Sequence, residues 1–384
     1  MKKIAVLTTN RADFGLLKPI VEKLVMNGEI DTRLIVTGAH LSRNYGMTVQ
    51  EIEESGLPVD VRIPILDTSD TPSGISRTMA NALSSFASYF ETSMPDALLV
   101  LGDRTEVLAV CIAAVNQRIP IIHLYGGETT EGAVDECVRH SITKMSLFHF
   151  TATQEYRRRV IQLGENPERV FVVGAMGVEN ALNIIPLPKK ELENFINQPI
   201  AKPLVVCTFH PVTLETATAG IQIKEVLSAL EQFPQNFYLW TKSNSDAGGK
   251  MINQILEEFV KTHENACLVD SLGAERYLSA LSYASFVLGN SSSGLAEVPS
   301  FGIPTINIGD RQKGRIRGPS VIDCLPERKS IISAIELAES ADFRSVAQMR
   351  INPYGDGNTS SRIVSIISDL LKKDLNIKKT FYDI

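Results

Sequence analysis

Little in this 384-residue chain points to metal, membrane or nucleic acid. Its five cysteines stand at positions 111, 137, 207, 267 and 324, form no CxxC pair and leave an odd number, which argues against a disulfide framework or a zinc site. A reducing cytoplasm is the expected compartment. The six histidines lack His-x-x-x-His spacing, so neither a metal nor another cofactor is expected. No window approaches the roughly 18 apolar residues of a membrane span, and no membrane association is expected. The apolar run in MKKIAVLTTNRAD is only about five residues long and a charged loop follows it, so it reads as a first strand and not as an export signal. Positive charge is not in excess: the net charge of −6 is opposite to the footprint of a nucleic-acid binder. Nucleotide signatures are missing as well. No G-x-G-x-x-G follows the first strand, where Gly15 stands alone, and Gly249-Lys250 lacks the upstream glycine of a Walker A loop. Gly289-Asn290-Ser291-Ser292-Ser293-Gly294 misses the G-x-S-x-G spacing of a nucleophile elbow by one residue, which disfavours a serine hydrolase.

What is present is the composition of a soluble globular protein, 44% hydrophobic and 21% charged. The chain is too long for one ordinary core, so two domains are expected. Short apolar runs at 3–8, 33–37, 59–65, 97–102, 120–125, 148–151 and 170–174 alternate with helix-length segments at 15–26, 74–91, 106–116 and 136–145. That pattern predicts an α/β fold, with a parallel sheet covered on both faces. Residues 177–202, richer in Asn, Pro, Lys and Glu, read as a linker between a first domain at 1–176 and a second at 203–358. In the second, strands at 204–209, 237–241, 267–269, 286–288 and 305–308 alternate with helices near 217–232, 248–262, 273–282 and 328–339, a second doubly wound unit. A last helix over 360–373 carries Ile363, Ile366, Ile367, Leu370 and Leu371 on one stripe, and could pack on either domain.

Ligands of such folds sit at the carboxyl ends of strands. The stretch FVLGNSSSGLAEVPSFGIPTINIGDRQKGRIRG at 286–318 reads as a strand, a turn carrying Ser291, Ser292, Ser293 and Gly294, and a short helix that Pro299 or Gly302 stops. Free backbone N–H groups and serine hydroxyls there make an anion site. The cations Arg311, Lys313, Arg315 and Arg317 follow closely, which suits a diphosphate; a solvated basic loop is the plainer alternative. The first strand runs into a loop with Arg11 and Asp13, then Lys18 one helical turn on. The fourth runs into Asp103, Arg104 and Glu106, where a general acid or base would stand, although capping the next helix is a commoner job for Asp. The fifth runs into His123, Gly126-Gly127, Glu128, Glu131, Asp135, Glu136, Arg139 and His140, where the glycines admit a ligand close to the backbone. Here the alternative is an exposed ion pair between Asp135 or Glu136 and Arg139. His149 reads as a core histidine, and His210 closes a strand of the second domain.

NRADFG at 10–15, LGDRTE at 101–106, HLYGGETTEGAVDECVRHSITK at 123–144, EYRRRVIQLGENPERVFVVG at 155–174, FHP at 209–211, the 289–318 stretch and NPYGDGN at 352–358 together resemble the hydrolysing UDP-N-acetylglucosamine 2-epimerases of bacterial sialic-acid biosynthesis. The resemblance runs through essentially the whole chain. It departs at Thr9-Asn10, where the family commonly has Gly-Thr or Gly-Ser, and at Tyr125, where some relatives carry Glu or His. It implies a GT-B-like arrangement of two Rossmann-like domains facing across a cleft, a homodimer or homotetramer, and a nucleotide-sugar substrate. By position, Ser291, Ser292, Ser293 and Gly294 would bind the diphosphate, Glu297 the ribose, and Arg311 and Arg11 the phosphates. Asp103, Glu128 and Asp135 would handle protons, with His210 assisting. Asp13, Lys18, Arg104, Glu136, Arg139, Asn290, Gln312 and Arg315 complete the expected substrate contacts. The competing expectations are a relative acting on a UDP-2,4-diacetamido-trideoxyhexose, a non-hydrolysing 2-epimerase, a GT-B glycosyltransferase, and a sensor that binds without turnover.

Overall fold

The computed structural model describes the chain apart from residues 70, 131–134, 213–217 and 244–247; Glu131, singled out above, lies outside the described residues. The chain forms two compact units. Unit 1 comprises Met1–Glu128, Val134–Met176 and Asn358–Ile384, and unit 2 comprises Thr129–Ala133 and Gly177–Gly357.

In unit 1 the strands are β1 (Lys2–Thr8), β2 (Ile30–Thr37), β3 (Val59–Ile63), β4 (Ala97–Leu101), β5 (Ile121–Leu124), β6 (Phe148–Thr151) and β7 (Val170–Val172). They lie in the order β3-β2-β1-β4-β5-β6-β7, and every neighbouring pair is parallel. The central strand β4, ALLVL, is buried at every position, because helices cover both of its faces. One face is closed by α1 (Arg11–Asn27) and α2 (Val49–Glu54), through Leu17, Ile20, Leu24 and Ile52. The other is closed by α3 (Pro72–Thr92), α4 (Thr105–Asn116) and α5 (Asp135–Met145), through Phe86, Phe90, Val110 and Ile142. The helix α6 (Gln154–Gln162) links β6 to β7.

Residues 177–202 are not a bare linker. They hold most of α7 (Met176–Asn183) and all of α8 (Lys189–Ile196), and they bury Leu192 and Ile200 in the core of unit 2. The strands of unit 2 are β8 (Leu204–Thr208), β9 (Phe237–Thr241), β10 (Ala266–Val269), β11 (Ala284–Gly289), β12 (Thr305–Ile308) and β13 (Val321–Cys324). Their order is β10-β9-β8-β11-β12-β13, again all parallel. The helices α9 (Ala219–Leu230), α10 (Gly249–Thr262), α11 (Gly273–Tyr283), α12 (Ser293–Ala296), α13 (Arg328–Glu339) and α14 (Ala341–Gln348) follow in turn. The chain then returns to unit 1 with α15 (Thr359–Leu371), which buries Ile363, Val364, Ile367 and Leu371 beside the apolar side chains of α1. Lys23 and Asn27 of α1 donate to the hydroxyls of Ser360 and Ser368 at 2.6 and 3.2 Å, which sets the register of that pairing.

Both sheets are doubly wound, and in each the strand order reverses once, between β1 and β4 in unit 1 and between β8 and β11 in unit 2. Loops diverge at a reversal, leaving a crevice at the carboxyl ends of the two strands. This fixes where each unit can present chemistry.

Candidate active site

In unit 1 the reversal lies between the loops after Thr8 and Leu101. The sequence suggested a loop for Arg11 and Asp13, but α1 begins at Arg11 because Asn10 caps it: Asn10 Oδ1 accepts the N–H groups of Ala12 and Asp13 at 2.8 and 3.0 Å. Asp13 closes the first turn, with its carboxylate accepting from Asn10 Nδ2 at 2.8 Å and from the Thr9 hydroxyl. The Thr9-Asn10 departure thus builds its own turn. Burial raises the Asp13 pKa, against the lowering pull of Arg104 and the Thr9 hydroxyl. Arg104 Nε stands 3.8 Å from Asp13 and its Nη1 3.5 Å from Glu106. Burial pulls the Arg104 pKa down, but Asp13, Glu106 and Asp103 outweigh it, and the net shift is upward.

Asp103 follows Gly102, whose φ of +77° only glycine adopts without strain, so β4 turns sharply and lifts Asp103 off the sheet. His123 on β5 holds that turn, its Nε2 2.8 Å from Gly102 O. Full burial drives the His123 pKa down to about 3, so the ring is neutral and Nε2–H donates to the carbonyl. Arg139 is 3% exposed and gathers what lies in front: it is ion-paired with Asp103, bonds Glu136 at 3.0 Å and donates to Glu128 O at 2.8 Å. The exposed ion pair expected from the sequence is instead a half-buried one, in which the buried Arg139 meets a partly exposed Glu136. Glu128 is buried. Asp135 lies exposed in the first turn of α5. The glycine pair serves the protein's own packing, since a Cβ on Gly127 would come within 2.3 Å of Tyr156 O. Arg11 and Lys18 lie further out, more than two-fifths exposed, facing Glu51 at 3.1 Å and Glu22 at 3.8 Å.

In unit 2 the reversal is held together by Asn290. Its side chain accepts the His210 N–H and donates to His210 O, both at 2.8 Å, tying the end of β8 to the end of β11. Its own carbonyl accepts from Arg311 Nη1 at 3.1 Å and Gln312 Nε2 at 2.9 Å, which brings Arg311 against the serine turn. Gly289 is obligatory here: at φ +144° a Cβ would lie 1.8 Å from Thr208 O. Ser291, Ser292 and Ser293 are each partly exposed. The helix they open, α12, is a single four-residue turn that runs into a 3₁₀ turn ended by Gly302, too short to develop more than a small dipole. Gly294 is buried under Thr305, whose hydroxyl donates to Gly294 O at 2.7 Å. Glu297 stands over Gly177, where a Cβ would lie 2.2 Å from its Oε1. His210 is held neutral, its pKa pushed down to about 4 by burial and then by Arg311.

The four cations near the serine turn do not converge. Arg311 reaches it, and Arg315 N–H bonds Gln312 O at 3.2 Å within the same loop. Arg317 is instead paired with Asp323 at 2.8 Å, and Lys313 is 61% exposed beside Asp310. Tyr277 of α11 was not foreseen. It donates from its hydroxyl to Ser293 Oγ at 2.8 Å, although in sequence it reads as one more apolar-stripe residue beside Leu278 and Leu281.

A pair of Rossmann-like domains is the build of the GT-B class, and a solved structure, the UDP-GlcNAc 2-epimerase of Neisseria meningitidis bound to UDP-GlcNAc, has this fold: TM-score 0.83 at 20% identity, covering 96% of this chain and all of that one. The sequence matches the model of the UDP-N-acetylglucosamine 2-epimerase family over residues 22–368, and the chain belongs to that family. It is 42% identical to the polysialic acid biosynthesis protein P7 of Escherichia coli, over all of this chain and 98% of that protein. It is 37% identical to the GDP/UDP-N,N'-diacetylbacillosamine 2-epimerase (hydrolyzing) of Campylobacter jejuni, over all of this chain and 99% of that protein.

Proposed function

We propose that the protein is a hydrolysing UDP-N-acetylglucosamine 2-epimerase, converting UDP-N-acetylglucosamine and water to N-acetylmannosamine and UDP. The observation that carries the reading is the placement of opposite chemistries at two equivalent points: carboxylates around Arg139 at the strand reversal of unit 1, and serines with Arg311 at that of unit 2. The 42% identity to a polysialic acid biosynthesis protein supports this choice of sugar.

The C2 hydrogen of the sugar is not acidic, so elimination must assist its removal. Breaking the C1–O bond sends the electron pair to UDP, where Arg311 and the hydroxyls of Ser291, Ser292 and Ser293 meet the developing charge. Neutral His210 donates a hydrogen bond there without adding a cation. A carboxylate takes the C2 proton, leaving a glycal. Water then adds across the double bond, its oxygen at C1 and a proton at C2 on the opposite face. Asp103, Glu128 and Asp135 carry the proton steps. Arg139 acts by orienting Asp103, Asp13 and Arg104 hold sugar hydroxyls, and Glu297 accepts from the ribose hydroxyls. Arg11, Lys18, Glu136, Asn290, Gly294, Gln312 and Arg315 shape or flank these contacts.

The test is incubation with UDP-N-acetylglucosamine and, separately, UDP-N,N'-diacetylbacillosamine. Free UDP together with free N-acetylmannosamine is expected from the first. Release of UDP from the second alone would establish the other reading, which the Campylobacter relative favours. UDP-N-acetylmannosamine with no free UDP would overturn hydrolysis.

A further inference from the structure

Away from the strand-end loops, unit 1 holds a densely bonded buried charge in Glu165, which is 1% exposed just past α6. Its Oε1 accepts from Lys144 Nζ at 2.7 Å, and its Oε2 accepts from Lys379 Nζ at 2.7 Å and lies 3.0 Å from His149 Nε2. Lys379 belongs to the segment after α15. Its ammonium uses its other two protons on carbonyls at the C-terminus of α5, Lys144 O at 2.9 Å and Ser146 O at 2.6 Å. The same segment is fastened on either side. Arg169 Nη2 donates to Asn376 O and Lys378 O at 3.1 and 3.4 Å, Tyr382 N–H donates to Gly164 O at 3.0 Å, and Lys144 Nζ lies 5.2 Å from the Phe381 ring centre. The Phe381 ring fills the space over Gly164, where a Cβ would come within 2.3 Å of it.

The helix capped in this way presents Asp135, Glu136 and Arg139. It is 11 residues long, and its large apolar anchors are Val138 and Ile142. Apolar contact resists separation from the sheet but is non-directional, so it restrains sliding along the helix axis weakly. Arg139 does not tolerate sliding: its bond to Glu128 O is 2.8 Å, and a shift of one helical rise, about 1.5 Å, would break it. Directional bonds at the other end of α5 supply what the apolar face lacks, and a cation there also opposes the partial negative charge of the helix terminus.

We propose that Lys379 is a positioning residue for the reaction: by bonding the last carbonyls of α5 and neutralising buried Glu165, it fixes the axial position of the helix that presents Asp135, Glu136 and Arg139. This rests on the reading of unit 1 as the proton-handling half.

The test compares Lys379→Met, Lys379→Arg and the double variant Glu165→Gln/Lys379→Met in the full-length protein, with the wild type as control. Lys379→Met should lower kcat about tenfold, since small misplacements of catalytic groups cost that much or more, with UDP affinity unchanged because the serine turn belongs to unit 2. Lys379→Arg should restore most of kcat. Lys379→Met leaves the buried carboxylate with Lys144 as its one remaining lysine partner, and the double variant removes that under-compensated charge, so it should regain thermal stability while kcat stays low, which separates positioning from stability. Wild-type kcat in Lys379→Met, a parallel loss of UDP affinity, or recovery of kcat in the double variant would overturn the proposal. Hydrogen exchange gives an answer that needs no substrate: α5 amides should exchange about tenfold faster in the double variant, with unit 2 unchanged, and unchanged α5 exchange would also overturn it. A wild type that turns over neither UDP-sugar counts against the proposed function, and the exchange result then decides the role of Lys379 alone.

Discussion

Asp103 shows how much a single position here owes to its neighbours. A glycine at positive φ lifts it from the sheet, a neutral histidine holds the glycine, and a buried arginine fixes its carboxylate. Asn at that position keeps the shape and the hydrogen-bonding oxygen but removes the carboxylate that the proposed reaction uses to carry a proton. Asp103→Asn should therefore lower turnover roughly 10²–10⁴-fold, while calorimetric UDP affinity stays at the wild-type value; a sensor without turnover would show no such split. Gly289 is the corresponding position in unit 2. With Thr208 O 1.8 Å from where a Cβ would sit, Gly289→Ala must spread β8 from β11 and move both His210 and the serines. The expected outcome is UDP binding weaker by about tenfold or more, together with a lower Tm. Retained affinity would mean that the turn does not bind the diphosphate.

Among the elements, sequence was legible where strands are fully buried and less so where they are not. ALLVL and FVLG declare themselves as apolar runs. The edge strand VIDC buries only Ile322 and exposes Asp323, so it carries no such run and went unseen. The polar helices α7 and α8 were hidden by Asn, Pro and Lys, and their anchoring depends on partners such as Leu281 and Leu278 far along the chain. The position of the candidate residues at strand ends was legible because the end of an apolar run marks a loop. Their partners could not: nothing in spacing tells that Arg317 turns to Asp323 while Arg311 turns to Asn290, or that Tyr277 reaches Ser293. The stripe on the last helix was visible, but its destination was not. Since Ile367 is fully buried in unit 1, Ile367→Ala should destabilise the protein by about 2–5 kcal/mol in urea unfolding. UDP should protect this variant less than its affinity alone implies if unit 1 unfolds separately.

At the level of the whole molecule, acid should act first through buried neutral histidines. His40 and His123 have native pKa values lowered to about 4 and about 3 by burial, from an ordinary 6.5. Below pH 6.5 the unfolded chain binds protons at these sites and the native chain does not, so stability falls on acidification from 6.5 towards 4. The slope is at most about 2.7 kcal/mol per pH unit for the two together. Glu165, lowered to about 2 because bonds from His149, Lys144 and Lys379 outweigh the cost of its burial, adds a further loss between 4.5 and 2. Urea midpoints at pH 7, 6 and 5 should therefore decline steadily, and a flat profile would contradict neutral burial. Turnover in ¹⁸O-labelled heavy water should leave one deuterium at C2 and the label on the sugar, with UDP unlabelled; label in UDP would place the cleavage at phosphorus.

The return of α15 to unit 1 has a consequence for biosynthesis. The ribosome finishes the seven strands of unit 1 long before it makes the helix that seals one of their faces, because residues 177–357 come between. At roughly 5–20 residues per second that interval is on the order of ten to forty seconds. During it, a newborn chain bares the seat later taken by Ile363, Ile367 and Leu371, a sticky surface that invites a chaperone's attention until the final segment emerges.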